Sequence, residues 1–146
     1  MEITQIVKEL LLEMGFSDVE VESQELMGRI KIDIRTASGR EIVGERGAVL
    51  ACFQHIVRKV VAKKTGRLVV LDVDINNYKK MRENILCDFA KEMREKVRFS
   101  GKAIELEPMP SFDRRVIHLA LAGLPDVTTE SMGEGESRFV IVRPYP

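Results

Sequence analysis

The sequence contains no tryptophan, and aromatic residues of all kinds make up only 5% of it. A binding surface that depends on many stacked aromatic rings is therefore excluded. Long hydrophobic runs are also absent, since stretches such as Leu10–Leu12 fall far short of the ~20 apolar residues that cross a bilayer. The N-terminus carries Glu2 and no basic segment, which argues against a secretory signal. We therefore expect no membrane insertion and a cytoplasmic location.

Cysteine is scarce as well. Cys52 and Cys87 lie 35 positions apart, so they form neither a Cys-x-x-Cys pair nor a disulfide framework. His55 follows Cys52 at a spacing of three residues, but two ligands do not complete a zinc site. We expect no metal site and no cofactor.

The first half of the chain alternates between helical and strand patterns. Apolar residues at helical spacing from Ile3 to Met14 predict a helix that ends at Gly15. Alternating patterns at 19–22 and 30–35 predict a hairpin with one buried face. A short apolar turn, a Gly-x-x-Gly sequence, a long helix and a strand at 68–73 follow. The predicted order is α-β-β-α-α-β over residues 1–76.

All five prolines lie at or beyond Pro108, which gives the last third of the chain a different character. We predict a second small domain over residues 77–146, so the whole chain is an α+β protein. A connector helix at 78–99 is capped by Asn76-Asn77, and its predicted buried stripe consists of Met81, Ile85, Phe89, Met93 and Val97. A strand at 103–107, a helix at 112–121 capped by Ser111, and strands at 127–131 and 138–143 complete the domain.

The formal net charge is zero, but the charges are unevenly distributed. Residues 1–39 carry a net charge of −4, whereas residues 40–67 carry +5. The excess is centred on the Gly-x-x-Gly sequence and the helix after it. A solvated helix face is the simplest interpretation, but a positive segment in an otherwise neutral protein favours an anionic partner.

The Gly-x-x-Gly loop lies in the segment Ile42-Val43-Gly44-Glu45-Arg46-Gly47. Glycines let a ligand approach the backbone, and the N–H groups at the start of a helix favour phosphate. Two glycines at this spacing are by themselves more typical of a tight turn. Together with the element order and the basic segment, the loop resembles that of a type II KH domain, whose Gly-x-x-Gly clamps about four nucleotides. We predict nucleic-acid contacts by residues 42–47 and by Arg58.

A second candidate phosphate site lies on the predicted helix at 112–121. Arg114 and His118 are four residues apart and share one face, with Arg115 beside them. An arginine fork and a histidine N–H can together hold a phosphate oxygen, although a bare Arg-x-x-x-His is usually an ordinary surface pattern. The longer segment 104–121, with Pro108-Met109-Pro110-Ser111, resembles an R-three-H domain. Residues 126–144 resemble the closing hairpin of that domain, and we predict that Arg138 in this segment contacts nucleic acid.

A KH domain followed by an R-three-H domain resembles the Jag family, also called KhpB or SpoIIIJ-associated proteins. The resemblance covers nearly the whole chain. It implies a cytoplasmic protein that binds single-stranded RNA, with single-stranded DNA as a related ligand, and that acts in RNA regulation or chaperoning. It also implies a smaller KH protein as a partner. Compared with many members, we expect no extra N-terminal domain in these residues, and Glu45 lies where such loops more often carry a basic residue.

No convergent catalytic set is visible, so we predict that the protein is not an enzyme. Ser111, Asp113 and His118 are the nearest approach to a catalytic trio, but one short helix turns Asp113 away from the His118 face. No Walker-type phosphate loop occurs. The alternative to RNA binding is a protein-interaction adaptor whose basic face docks on an acidic partner.

Overall fold

A computed structural model of the chain describes residues 2–146. It has two compact units, one up to Lys79 and the other from Lys80 to Pro146. The first unit has the predicted α-β-β-α-α-β order of a type II KH-like domain. Its elements are α1 (Ile3–Glu13), β1 (Val19–Leu26), β2 (Arg29–Thr36), α2 (Gly39–Val43), α3 (Ala48–Thr65) and β3 (Val70–Ile75).

The sheet of the first unit has the order β1-β2-β3, with β1 antiparallel and β3 parallel to β2. The register sets Ile30 beside Leu71, Ile32 beside Val73 and Ile34 beside Ile75. These side chains are buried, as period-two alternation requires of residues on one face of a sheet. They pack with Val7 and Leu11 of α1 and with the buried side of α3, which gives the unit its hydrophobic core.

Side chains of α3 satisfy the outer edge of β3. Gln54 Oε1 accepts a hydrogen bond from the Val73 N–H at 3.0 Å, and Arg58 Nε donates to the Leu71 carbonyl at 2.9 Å. Lys79 Nζ also donates to Gln54 Oε1 at 2.8 Å and pairs with Asp72. An edge strand with unpaired backbone groups is a template for unwanted pairing, and these contacts occupy two of those groups.

The sequence prediction that Asn76-Asn77 caps the connector helix is wrong for Asn76. Its side chain bonds the backbone of Thr36 in both directions, at 3.1 and 2.8 Å, and so extends the pairing between the two parallel strands. The buried carboxylate of Asp74 accepts the Lys79 N–H at 3.1 Å instead. Both asparagines have positive φ angles, which asparagine tolerates better than most residues.

The second unit contains most of the connector helix and a small antiparallel sheet. Its elements are α4 (Tyr78–Ser100), β4 (Ile104–Glu105), α5 (Ser111–Leu121), β5 (Val127–Met132) and β6 (Phe139–Pro144). The strand order is β4-β6-β5, so β6 is central, and its residues Val140 and Val142 are fully buried. None of the helices between residues 2 and 146 is long and apolar enough to span a membrane.

The buried stripe of α4 differs from the predicted one. Met81 and Ile85 are 60% and 58% exposed, and the buried residues are Leu86, Ala90, Met93 and Val97. The predicted stripe used a spacing of four throughout, which drifts about 40° around the helix at each step. The observed spacing of four, three and four keeps all members within about 60° of one another.

Helix α5 is fixed to α4 by a buried ion pair. Asp113 is 1% exposed, and its Oδ2 accepts a hydrogen bond from an Arg82 terminal nitrogen at 2.7 Å. The predicted capping role of Ser111 is wrong, because Ser111 is the first residue of the helix and no side chain caps it. Pro110 occupies the N-cap position, and its carbonyl accepts the Arg114 N–H at 3.0 Å.

Substitution of adjacent residues tests the corrected stripe of α4. We expect Leu86→Ala to lower the free energy of unfolding by about 2–5 kcal/mol, because Leu86 is 4% exposed and its removal leaves a cavity. Ile85→Ala, the matched control, should change it by no more than about 0.5 kcal/mol. Urea unfolding of both variants measures the difference. A larger loss of unfolding free energy for Ile85→Ala would instead support the buried stripe predicted from the sequence.

Candidate functional site

The Gly-x-x-Gly loop joins α2 to α3 in a left-handed backbone path. Gly44, Arg46 and Gly47 have φ angles of 72°, 53° and 78°, and Gly47 occupies the N-cap position of α3. The Gly47 N–H donates to the Gly44 carbonyl at 3.3 Å, which closes the turn. A non-glycine residue in this region of φ is uncommon, so Arg46 is held there by the surrounding turn.

The protein's own side chains fill the space beside both glycines. A Cβ atom at Gly44 would lie 2.8 Å from Val49 Cβ, and one at Gly47 would lie 3.0 Å from Tyr78 Cε1. The sequence argument that the missing Cβ atoms leave room for a ligand is therefore incomplete. The glycines are needed first for the positive φ angles and for close packing against Val49 and Tyr78.

The predicted contact residues of the first unit fall into two groups. Ile42 and Val43 are 0% and 8% exposed and belong to the core, so they support the loop from below and line no groove. Glu45, Arg46 and Arg58 are exposed. Arg58 also has the structural contact with β3, made through its Nε atom, so any ligand would meet the outer end of its guanidinium group.

In the second unit, the face of α5 that carries His118 packs against β5. The two ring nitrogens of His118 lie 2.7 Å from the hydroxyls of Thr129 and Ser131. A terminal nitrogen of Arg114 donates to the same Ser131 hydroxyl at 3.5 Å, and its Nε donates to the Met109 carbonyl at 3.1 Å. Arg114 and His118 therefore meet at Ser131, which confirms their shared face. Both ring nitrogens of His118 already have hydroxyl partners, so the ring holds these two hydroxyls in place.

The environment of His118 favours its neutral form. Burial lowers the pKa of its imidazole, and the positive charges of Arg114 and Arg138 lower it further. A neutral ring donates one hydrogen bond and accepts another, and a hydroxyl can take either role. We call the group formed by Arg114, His118, Thr129, Ser131 and Arg138 the arginine cluster. It holds the charges of two arginines beside an uncharged histidine.

The second unit has seven arginines. Four of them pair with carboxylates: Arg82, Arg94, Arg98 and Arg143. The other three form no ion pair within residues 2–146: Arg114, Arg115 and Arg138. The buried Nε of Arg138 also has no hydrogen-bond partner in the described part of the chain. Arg114 and Arg115 were predicted from the sequence as phosphate contacts and Arg138 as a nucleic-acid contact, and none of the three has a carboxylate partner in the described residues.

Sequence reasoning missed Thr129 and Ser131. Both lie at alternate positions of β5, on the face that includes the buried Val127. The period-two pattern of the strand therefore indicates that both hydroxyl side chains face the interior. Two hydroxyl residues on an inward-facing stripe need polar partners, and His118 is the polar residue opposite them. Among residues 2–146, no group of three or more histidine, cysteine or acidic side chains could hold a metal ion.

The lowered pKa of His118 predicts a pH-dependent stability. The unfolded state takes up a proton near pH 6.5 more readily than the folded state, so stability is full above this pH and falls as the pH decreases below it. We expect unfolding by urea at about pH 7.5 and pH 5 to show a smaller loss of stability for His118→Gln than for the wild type. The exposed His55 supplies the control His55→Gln, which should retain the wild-type dependence. An unchanged dependence in His118→Gln would contradict this account of the cluster.

Comparison with known proteins identifies the second unit. Residues 84–144 match the R-three-H domain family. The chain is 32% identical over 125 residues to RNA-binding protein KhpB of Clostridium symbiosum, which covers 86% of this chain and 56% of that protein. It is 32% identical over 130 residues to RNA-binding protein KhpB of Bacillus subtilis, covering 88% of this chain and 62% of the relative.

A third relative, RNA-binding protein KhpB of Streptococcus pneumoniae, is 26% identical over 113 residues, which is 77% of this chain and 34% of the relative. The chain thus spans less than two thirds of the length of the first two relatives. The matched domain, these relatives and the confirmed order of elements agree with the resemblance drawn from the sequence. Over most of its length the chain is similar to the KhpB, or Jag, proteins, and its residues 84–144 match the R-three-H domain.

Proposed function

We propose that this protein binds single-stranded RNA through two contacts, one in each unit. In the first unit, the loop Gly44–Gly47 and the exposed end of Arg58 approach the sugar-phosphate backbone. In the second unit, Arg114, Arg115 and Arg138 hold phosphates, and His118 positions the Ser131 hydroxyl beside them. Single-stranded DNA has the same phosphates and is the alternative ligand. It binds more weakly than RNA if the 2′-hydroxyl, which DNA lacks, contributes to the affinity.

The observation that carries this proposal is the set of arginines without ion pairs in the second unit. Four neighbouring arginines have carboxylate partners, whereas Arg114, Arg115 and Arg138 have none in the described residues. Two of these three charges act on one histidine and lower its pKa. A phosphate near them would compensate the charges and form charge-assisted hydrogen bonds with the guanidinium groups.

The first unit supports the proposal through its charge and its backbone. Residues 40–67 carry a net charge of +5, and the exposed Lys59 and Lys63 extend the positive surface along α3. Phosphate contacts give most of the affinity of a protein that binds nucleic acid without a strict sequence requirement. Glu45 lies in the same loop and opposes this charge, so the first contact is the weaker of the two.

Two weak contacts on one chain give a stronger combined one. When one contact is made, the second is formed at an effective concentration set by the connection between the units. We assign the two contacts to a KH domain at 1–76 and an R-three-H domain at 77–146. The proposal also includes four properties that the similarity to the KhpB proteins implies. The protein acts in RNA regulation or chaperoning, it is cytoplasmic, it has a smaller KH protein as a partner, and it is not an enzyme.

Fluorescence anisotropy with a short single-stranded RNA tests the proposal. We expect Arg114→Ala to weaken binding and to reduce the slope of log affinity against log salt concentration by about 0.7, the value for one lost phosphate contact on a single strand. Lys8→Ala removes an exposed charge of α1, in the acidic part of the chain, and should leave the slope unchanged.

The loop needs a paired design, because any side chain at Gly47 meets Tyr78. Gly47→Asn and Gly47→Asp introduce side chains of nearly the same size, and asparagine and aspartate both tolerate a positive φ. We expect Gly47→Asp to bind RNA more weakly than Gly47→Asn, since only the aspartate repels phosphate. Equal binding by the two variants would remove the loop from the site. Binding of an acidic protein but not of RNA by the wild type would favour the adaptor alternative.

A further inference from the structure

A cleft beside the arginine cluster has no role in the phosphate contacts. It has a volume of about 380 Å³, which lies within the usual range of small-ligand sites. Its walls include Leu124, Pro125 and Val127, with Thr128 and Tyr145 also lining it. Tyr145 is the one tyrosine of the second unit, and its side chain is 58% exposed.

Ion pairs and hydrogen bonds hold the walls of this cleft in place. The Tyr145 N–H donates to the Asp126 carbonyl at 2.9 Å, which fixes the backbone beside the aromatic ring. The Asp126 carboxylate is bound in turn by Arg94 Nε at 3.0 Å and by Arg98 Nε at 3.2 Å. The hydrogen bond from Arg94 holds the pKa of Asp126 below its ordinary value, which favours the charged carboxylate that both arginines bind. Helix α4 thus positions the loop and the strand end that form the cleft.

The cleft continues into the proposed phosphate site. His118 and Thr129 line the cleft, and the same two residues are hydrogen-bonded to each other in the arginine cluster. Arg114 contacts Ser131, which lies five residues from Asp126, where Tyr145 is bonded, or about 17 Å at the usual rise of a strand. An RNA strand with one phosphate at Arg114 can therefore place the base of a nearby nucleotide, and not of the same one, in the cleft. Proteins that recognise single strands stack unpaired bases on aromatic side chains and surround them with apolar groups.

We infer that the cleft lined by Leu124, Thr128 and Tyr145 is a subsite for one unpaired base of the bound RNA, stacked on the ring of Tyr145. This inference rests on the proposed RNA binding and adds to it the part of the molecule that contacts a base. The exposed Thr128 hydroxyl is available to hydrogen-bond to the edge of the base. Phosphate contacts at the arginines then position the strand, and the cleft holds the base.

Anisotropy titrations of Tyr145→Ala and Tyr145→Phe test the subsite. The probes are a fluorescein-labelled single-stranded RNA of about eight nucleotides and an abasic strand of the same length and charge. We expect Tyr145→Ala to weaken binding of the normal strand about tenfold without changing the salt slope, because a stacking contact and no phosphate contact is lost. Tyr145→Phe keeps the ring and should bind like the wild type. The wild type should prefer the normal strand to the abasic one, and Tyr145→Ala should lose most of that preference.

The outcomes separate the subsite from the proposed function. If Arg114→Ala weakens binding while Tyr145→Ala retains both affinity and the preference for the normal strand, RNA binding stands and the subsite is overturned. Loss of binding in both Tyr145→Ala and Tyr145→Phe would show that the Tyr145 hydroxyl, and not stacking on its ring, makes the contact, and would overturn the stacked subsite. If the wild type binds neither strand, the proposed function fails and the subsite with it. Because the Tyr145 side chain is largely exposed and its backbone hydrogen bond is kept, both variants should retain the wild-type thermal unfolding.

Discussion

The second unit depends on a histidine that stays uncharged between two hydroxyl groups. His118 is bonded to Thr129 and Ser131 at 2.7 Å each, and these bonds tie α5 to β5. Because the ring is neutral, Arg114 and Arg138 are not repelled by a third positive charge at close range. The cluster can therefore keep two guanidinium groups without a carboxylate partner, and in the proposed complex a phosphate of the RNA would compensate their charge.

In the first unit, the main constraint is the sharp turn between α2 and α3. Gly44 and Gly47 adopt φ angles that other residues avoid, and Val49 and Tyr78 pack where their side chains would be. The loop is therefore packed against the protein's own side chains on this side, where no space for a ligand is open. In the proposed complex, a loop held by such packing loses little conformational entropy on binding, so a contact opposed by Glu45 can still contribute when the second unit is bound.

Much of the fold follows from sequence patterns, and the departures have physical causes. The order of elements and the end of α1 just before Gly15 are set by local periodicity and by backbone freedom. The buried stripe of α4 was misassigned because a regular spacing of four resembles a helix face over two turns but drifts away over five. Arg114 and His118 were visible through their spacing on one helix. The pairing of Ser131 with Arg114 and His118 and the cleft at Tyr145 were not, because they form only through contacts between distant segments.

The most direct test of the central claim is the position of bound RNA on the wild-type protein. A titration of the labelled protein with a short single-stranded RNA, followed by backbone amide chemical shifts in NMR, gives this position residue by residue. The account predicts the largest changes at Arg114, His118 and Ser131, with smaller changes at Gly44–Gly47. Changes confined to the acidic strand β1, or none at concentrations that saturate binding, would contradict it.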